Sequence, residues 1–362
     1  MRITEVHAVY PRYRHVAPSW RTHFWQIVVR IDTDAGICGW GYGGGGEGAE
    51  RVVNGHFREL LLGWEVGADG EQIARIWDEL YRASVPYGRR GIAIMALSGV
   101  DLALWDLAGR LAGKPVWELL GGGSGRDRVR AYATGGELSR FRDSGFTATK
   151  TSIRLRATPA AGDDADVAAR EAVSAAVAWA SEGRRLLGPE ALLMVDAYMS
   201  WTPALAVSMA KALQESGVYW LEDVLPPDEI EDLAALRPRI KPSLLAGGEH
   251  EFTHYGFAEV ARAGALDLWQ PDVTWCGGLT AARRIVELAH HHGIAVVLHR
   301  GGEVWGLQLL ASGACDDLAE LVLGSRGARR DRLWLGEPQV VDGHLTVPDG
   351  PGFGVEINTE YL

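Results

Sequence analysis

From Gly123 onward, short apolar runs alternate with longer amphipathic stretches. The runs VRAYATGG, GFTATKTSI, LLMVDA, VYWLEDV, SLLAGGE, ALDLWQPD, IAVVLHR and LAELVL read as eight strands. Between them, stretches such as ADVAAREAVSAAVAWASEG and TPALAVSMAKALQESG place apolar residues at three- and four-residue intervals, the spacing of a helix with one buried face. Strand and helix in steady alternation predict a (β/α)8-type barrel. Ahead of it, ITEVHAVY and HFWQIVVRIDTDAGICGWGY predict antiparallel strands, the second run turning at Asp34-Ala35-Gly36. EQIARIWDELYRA and GIAIMALSGVDLALWDLAGRLAGKPVWELLGG then predict helices, the latter with a Gly-Lys-Pro stop. The fold class is therefore α/β: an α+β capping domain over 1–123, a barrel over 124–329, and a Gly/Pro-rich C-terminal segment over 330–362 that packs back on the capping domain.

Composition narrows the function classes. A chain of 362 residues suits a barrel plus a smaller partner domain. The net charge of −11 comes without a sustained basic stretch, which excludes nucleic acid and anionic membrane as partners of the general surface. The three cysteines, Cys38, Cys276 and Cys315, are scattered and lack CxxC spacing, so neither a disulfide framework nor a zinc cluster is expected. The start MRITEVHAVYPRYRH lacks the apolar core of a signal peptide, and no long uncharged apolar run follows; a cytoplasmic protein is expected.

Charge at the ends of the predicted strands changes the picture most. Asp196, Glu222 and Glu249 close three successive apolar runs, with one strand–helix unit between each pair. A strand buried on both faces has no reason to end in an ionised carboxylate unless that charge is solvated, paired or bound to a cation. Three in register point to a hard divalent ion held by oxygen, Mg²⁺ ahead of Mn²⁺. In a barrel the site lies at the C-terminal ends of the strands, where Lys150, Asp272, His299 and Glu320 also fall. Asp272 and His299, on adjacent strands, suggest a dyad in which the carboxylate orients the imidazole and raises its basicity. Lys150 reads as a base, a carboxylate clamp or an ion-pair partner of the metal acids. Glu320 reads either as a protonated donor to a substrate oxygen or as a buried structural acid.

Other features carry weaker chemistry. The loop PRYRHVAPSWRTH bears Arg12, Arg14, His15, Arg21 and His23, and reads as a cationic lid or as a solvated connection. Gly41, Gly43 and Gly46 have GxGxxG spacing, but their strand belongs to a hairpin and no strand with a terminal acid follows; a second loop over a pocket is the better functional reading. Asp101 and Asp106 are expected on a polar helix face, and His290, His291 and His292 at a helix C-terminus rather than on a metal.

The motifs VDLALWDLAGRLAGKPVWELLGG, DAYMSW, WLEDVLPP, GEHEFTHYGF, QPDVTWCGGLT, HRGGEVWGLQ and PGFGVEIN together resemble the enolase superfamily, mandelate racemase subgroup, and within it the L-rhamnonate dehydratases. The resemblance implies metal ligands at Asp196, Glu222 and Glu249, a His299–Asp272 dyad, an assisting Glu320, and dehydration of an acid sugar through a metal-stabilised enediolate. Cycloisomerisation or epimerisation through the same enediolate is the related alternative, and a non-catalytic metal-binding scaffold the alternative of another class. The subgroup's racemases carry Lys-x-Lys on the second strand; here the triplet is Lys150-Thr151-Ser152, which removes the second base. The usual Pro-His-Gly is Leu298-His299-Arg300, which adds a cation. Substrate contacts are expected from His15, Arg21, Arg300 and Trp305, with a small acid sugar as partner and a homo-oligomer as the assembled form.

Overall fold

The computed structural model describes residues 1–16, 18–121, 125–155, 165–323 and 330–362. The expected domain boundaries fall on 123, 124 and 329, outside the described residues. Three antiparallel strands, β1 (Ile3–Val9), β2 (Ile27–Thr33) and β3 (Cys38–Gly43), form the first sheet in that order. Gly36, at φ 74°, supplies the left-handed backbone that turns β2 into β3.

The helix Ile92–Ala112 lies directly on β3. A Cβ on Gly41 would stand 2.0 Å from the carbonyl oxygen of Gly99, and one on Gly39 2.2 Å from that of Ala103. The glycine-rich run is thus neither a phosphate loop nor a lid. Gly41 and Gly43 are buried strand residues on which a helix backbone rests. Gly46 meets the 11–23 loop instead, since a Cβ there would fall 2.1 Å from the carbonyl oxygen of His23.

Ile92–Ala112 is long and apolar enough to cross a membrane, yet 89% of its most apolar window is buried within the protein, so it serves as a core helix. Asp101 and Asp106 do not lie on a polar face, as the helical pattern suggested; both are buried. Asp101 accepts from the backbone N–H of Thr280 at the start of the helix Gly278–His292, and Asp106 accepts from Trp40, Phe353 and Arg110. Each acid thereby ties the capping helix to chain far away in sequence. His290, His291 and His292 end their helix, where its exposed carbonyl end favours positive charge.

Eight parallel strands follow: β4 (Arg128–Thr134), β5 (Ala148–Ser152), β6 (Leu192–Asp196), β7 (Trp220–Glu222), β8 (Leu244–Gly247), β9 (Leu268–Trp269), β10 (Ala295–Val296) and β11 (Ala319–Val322). They pair in chain order from β4 to β10, and β11 returns to pair with β4. Between β10 and β11 no ladder pairing forms among the described residues, and separate bonds span the gap: Asp316, just ahead of β11, accepts from the backbone N–H of Val296 at 2.8 Å and donates its own N–H to Val296 oxygen at 3.2 Å, while Gly302 N–H donates to Glu320 oxygen at 2.9 Å.

The pleat of these strands positions the site. Tyr132, Ala148, Met194, Trp220, Ala246, Leu268, Val297 and Leu318 form one cluster, the plug inside the barrel. Because side chains on one face of a strand recur every second residue, the next inward positions are Lys150, Asp196, Glu222, Gln270, His299 and Glu320. A ring of polar groups therefore stands one layer above an apolar floor.

The C-terminal segment joins both parts. His344–Thr346 adds antiparallel to the start of β4, while Tyr361 accepts from Arg12 N–H and Gly352 from Val116 N–H. Trp305 belongs to this junction. It is 2% exposed, with ring centroids 4.5 Å from Phe353 and 4.9 Å from Trp334. The structure makes it a packing residue between the domains, not the substrate contact expected of it.

Candidate active site

Ladder register sets Ser152, Asp196, Glu222 and Ala246 level across β5 to β8. Asp196 and Glu222 are consequently neighbours, and Glu249, just past β8, joins them; all three are buried. Sequence reasoning missed two members of this basin. Asp223, next to Glu222, has a positive φ of 43° and a buried Oδ2 with no hydrogen-bond partner; His250 follows Glu249 and lies 3.2 Å from its Oε1. Ligand atoms of Asp223, Glu249 and His250 come within 4.8 Å of one another. The signal was in the chain, since each flanks a predicted ligand.

Electrostatics shows what this crowd of acids lacks. Burial and then mutual repulsion among Asp196, Glu222, Asp223 and Glu249 push the Asp223 carboxyl well up. Glu222 is raised to about 7, burial and the neighbouring acids outweighing Lys150. The buried cation beside them is Lys150, whose Nζ is held between Glu222 and Glu320, 2.8 Å from the latter's Oε1. Glu222 is further engaged by Trp220 Nε1 at 2.9 Å and Gln270 Nε2 at 2.8 Å. An orphaned carboxylate oxygen in a basin dominated by carboxylates and short of positive charge fits a hard divalent cation.

On the other side of the basin stands His299. Its Nδ1 is 2.7 Å from Asp272 Oδ2, and its Nε2 is 3.1 Å from Glu249 Oε2 and 4.0 Å from Glu320 Oε2. Burial disfavours the imidazolium, but Glu249, the Asp272 bond and Glu320 prevail and raise the ring to about 9. A cation bound at Glu249 would cancel the largest of those three contributions. Asp272 is held far below the usual carboxylate range: against its burial act Arg300, then His299 and Thr274.

Glu320 is placed among donors and set to accept rather than donate. Burial opposes its charge, yet Lys150 and His299 hold it down as a carboxylate that accepts from Arg300 N–H at 2.9 Å and from Thr134 Oγ1 at 2.6 Å. Arg300 is largely engaged within the protein, with only its Nη1 lacking a hydrogen-bond partner. At φ 50°, where the usual pattern has glycine, its buried guanidinium pairs with Asp272 Oδ2 through Nε at 2.9 Å and lies over the rings of Trp275 and Trp25. From the capping domain, Arg21 stacks on Trp25 at 4.7 Å and feels the charges of Arg300 and Glu249. The structure does not bring exposed His15 into the basin. Its backbone N–H, with that of Arg14, donates to Asp331, which anchors the loop.

With this geometry in hand, the relationships of the chain are informative. The family Mandelate racemase / muconate lactonizing enzyme, N-terminal domain, matches residues 4–121, and the family Enolase C-terminal domain-like matches residues 134–361. An L-rhamnonate dehydratase of Saccharopolyspora erythraea is 34% identical over 360 residues, covering 98% of this chain and 88% of that protein. The rhamnonate dehydratase of Gibberella zeae complexed with Mg superposes with a TM-score of 0.85 at 27% identity, over 99% of this chain and 94% of that one. The 3,6-anhydro-D-galactonate cycloisomerase of Zobellia galactanivorans gives a TM-score of 0.83 at 28% identity, over 99% and 98% of the two chains. Both family matches and the full-length likeness establish that the chain belongs to the enolase superfamily, in its mandelate racemase subgroup.

Proposed function

We propose that the protein is an acid-sugar dehydratase, converting a sugar acid to a 2-keto-3-deoxy acid by removing the proton beside the carboxylate. One observation carries this reading. His299 faces the carboxylate basin from one lip with Asp272 behind it, while the level position on β5 that a second base would fill is Ser152, exposed and bonded to Arg154 Nε at 2.7 Å.

Asp196, Glu222 and Glu249 would hold Mg²⁺, or Mn²⁺ in its place, whose charge stabilises the enediolate oxygens; Asp223 and His250 stand beside them as reserve donors. The remaining work falls to the chain. Asp272 accepts at Nδ1 and so leaves Nε2 of His299 as the atom that takes the C2 proton. The imidazolium formed keeps its counter-charges Asp272 and Glu320 and can hand that proton to a departing C3 hydroxyl on the same face. Lys150, pinned by two ion pairs, acts as a fixed cation toward the growing negative charge rather than as a base. Arg21 meets the substrate from the capping side. The similarity to proteins named rhamnonate dehydratase supports aldonates as the first substrates to try.

A screen of mono- and diacid sugars with Mg²⁺, read by semicarbazone formation, tests the proposal. At least one sugar acid should yield a keto acid, and silence across the library sinks the reading. The cycloisomerase neighbour gives a second outcome its weight: C2 isotope exchange or isomerisation without a keto product would mean the same enediolate collapses differently.

A further inference from the structure

The floor and basin account for most buried polar groups near the dyad, but not for Gln26. This side chain, 0% exposed, lies in the capping domain between the short helix Arg21–Phe24 and strand β2. Trp275 Nε1 can only donate, so the amide oxygen faces it at 2.9 Å and the amide nitrogen faces Thr274 Oγ1 at 2.9 Å. A hydroxyl has two acceptor lone pairs and one proton. At Thr274 both lone pairs are taken, by Gln26 Nε2 and by Arg300 Nη2 at 2.5 Å. The single proton is left for Asp272 Oδ1 at 2.7 Å, where Thr274 N–H donates as well. With Oδ1 fixed in this way, Oδ2 points at His299 Nδ1 and Arg300 Nε.

We propose that Gln26 is a positioning residue: by occupying one lone pair of Thr274 and holding Trp275, it sets the Asp272 carboxylate and, through it, the ring of His299. The dyad is thereby set from the capping domain, on the same stretch that carries the substrate-facing loop. The effect on turnover rests on the dehydratase reading above; the effect on the imidazole does not.

Gln26→Glu tests the idea with almost no change of shape. Studied at a pH high enough to ionise the buried carboxyl it introduces, the variant still accepts from Trp275 but cannot donate to Thr274, so the hydroxyl proton turns toward it and leaves Asp272. Thr274→Val removes the hydroxyl, and Thr274→Ser restores it. Nitrogen-15 NMR of the intact protein reads the His299 imidazole, assigned by its loss in His299→Asn. Gln26→Glu and Thr274→Val should each shift the Nδ1 signal away from its wild-type position, with Thr274→Ser returning it. On a sugar acid found in the screen, turnover should fall on the order of tenfold in the first two variants with KM unchanged. An Nδ1 signal that stays in place in both Gln26→Glu and Thr274→Val overturns the proposal. Should no sugar acid react while the signal moves, the dehydratase reading fails and the positioning role stands.

Discussion

At the scale of single residues, the site is a problem of unbalanced charge. Lys150 is buried with two carboxylates on its one ammonium, so Lys150→Met leaves Glu222 and Glu320 facing each other without the ammonium between them. The expected loss is about 3–5 kcal/mol of folding stability, measured by urea unfolding. His299→Asn should abolish turnover while Mg²⁺ still raises the melting midpoint, because the ligand acids are intact. For a site filled to a hundred times its dissociation constant the gain is about 2.7 kcal/mol; a variant that no longer responds to Mg²⁺ would argue that His299 itself helps hold the ion. The strand-end acids and the dyad were legible in the sequence because each closes an apolar run. What Arg300 and Trp305 do was not. Whether a cation or an indole faces substrate depends on partners distant in the chain, Asp272 for one and Phe353 for the other.

Among the elements, alternation on short strands proved the most readable feature. Each predicted strand of the barrel is present, and the apolar residue that lies two before the functional one forms the plug. The glycine-rich run shows why a local pattern can mislead: Gly41, Gly43 and Gly46 match a phosphate loop by spacing, but what demands small residues is close approach of the helix Ile92–Ala112 at Gly41 and Gly43 and of His23 and Phe24 at Gly46. Gly41→Ala is therefore expected to cost about 1–3 kcal/mol or more. Its urea midpoint should drop, whereas Gly55→Ala, whose Cβ would meet nothing within 4 Å, should leave it near the wild-type value.

Across the whole molecule, buried acids stitch the two domains together, and one of them makes stability depend on pH. Burial, working against the bonds from Thr280, raises the Asp101 carboxyl to about 7 from its ordinary 3.8. Between about pH 4 and 7 the folded protein keeps a proton that the unfolded chain gives up, so this residue's contribution falls as pH rises through that window and levels off above it. Asp101→Asn, which can still accept from Thr280, should gain in urea midpoint relative to wild type on going from pH 4 to 7. A constant difference across that range would show that Asp101 is ionised in the fold. Such cross-domain contacts were the least legible part of the sequence, because a helical pattern reports only which side of its own helix a residue occupies.

The seam between β10 and β11 has a kinetic consequence. Elsewhere neighbouring barrel strands share ladder hydrogen bonds, but here Val296 is held across the gap by Asp316, through one carboxylate and one amide, with Gly302 N–H on Glu320 oxygen as a further separate bond. A ring fastened this way should open first at its clasp. In hydrogen exchange, the amide of Val296 should then lose protection at a lower free energy than those of Leu221 or Leu245, and sooner still in Asp316→Ala. The two lips of that seam carry His299 and Glu320, 4.0 Å apart at their nearest charged atoms, so an opening there would also change the spacing of these two groups.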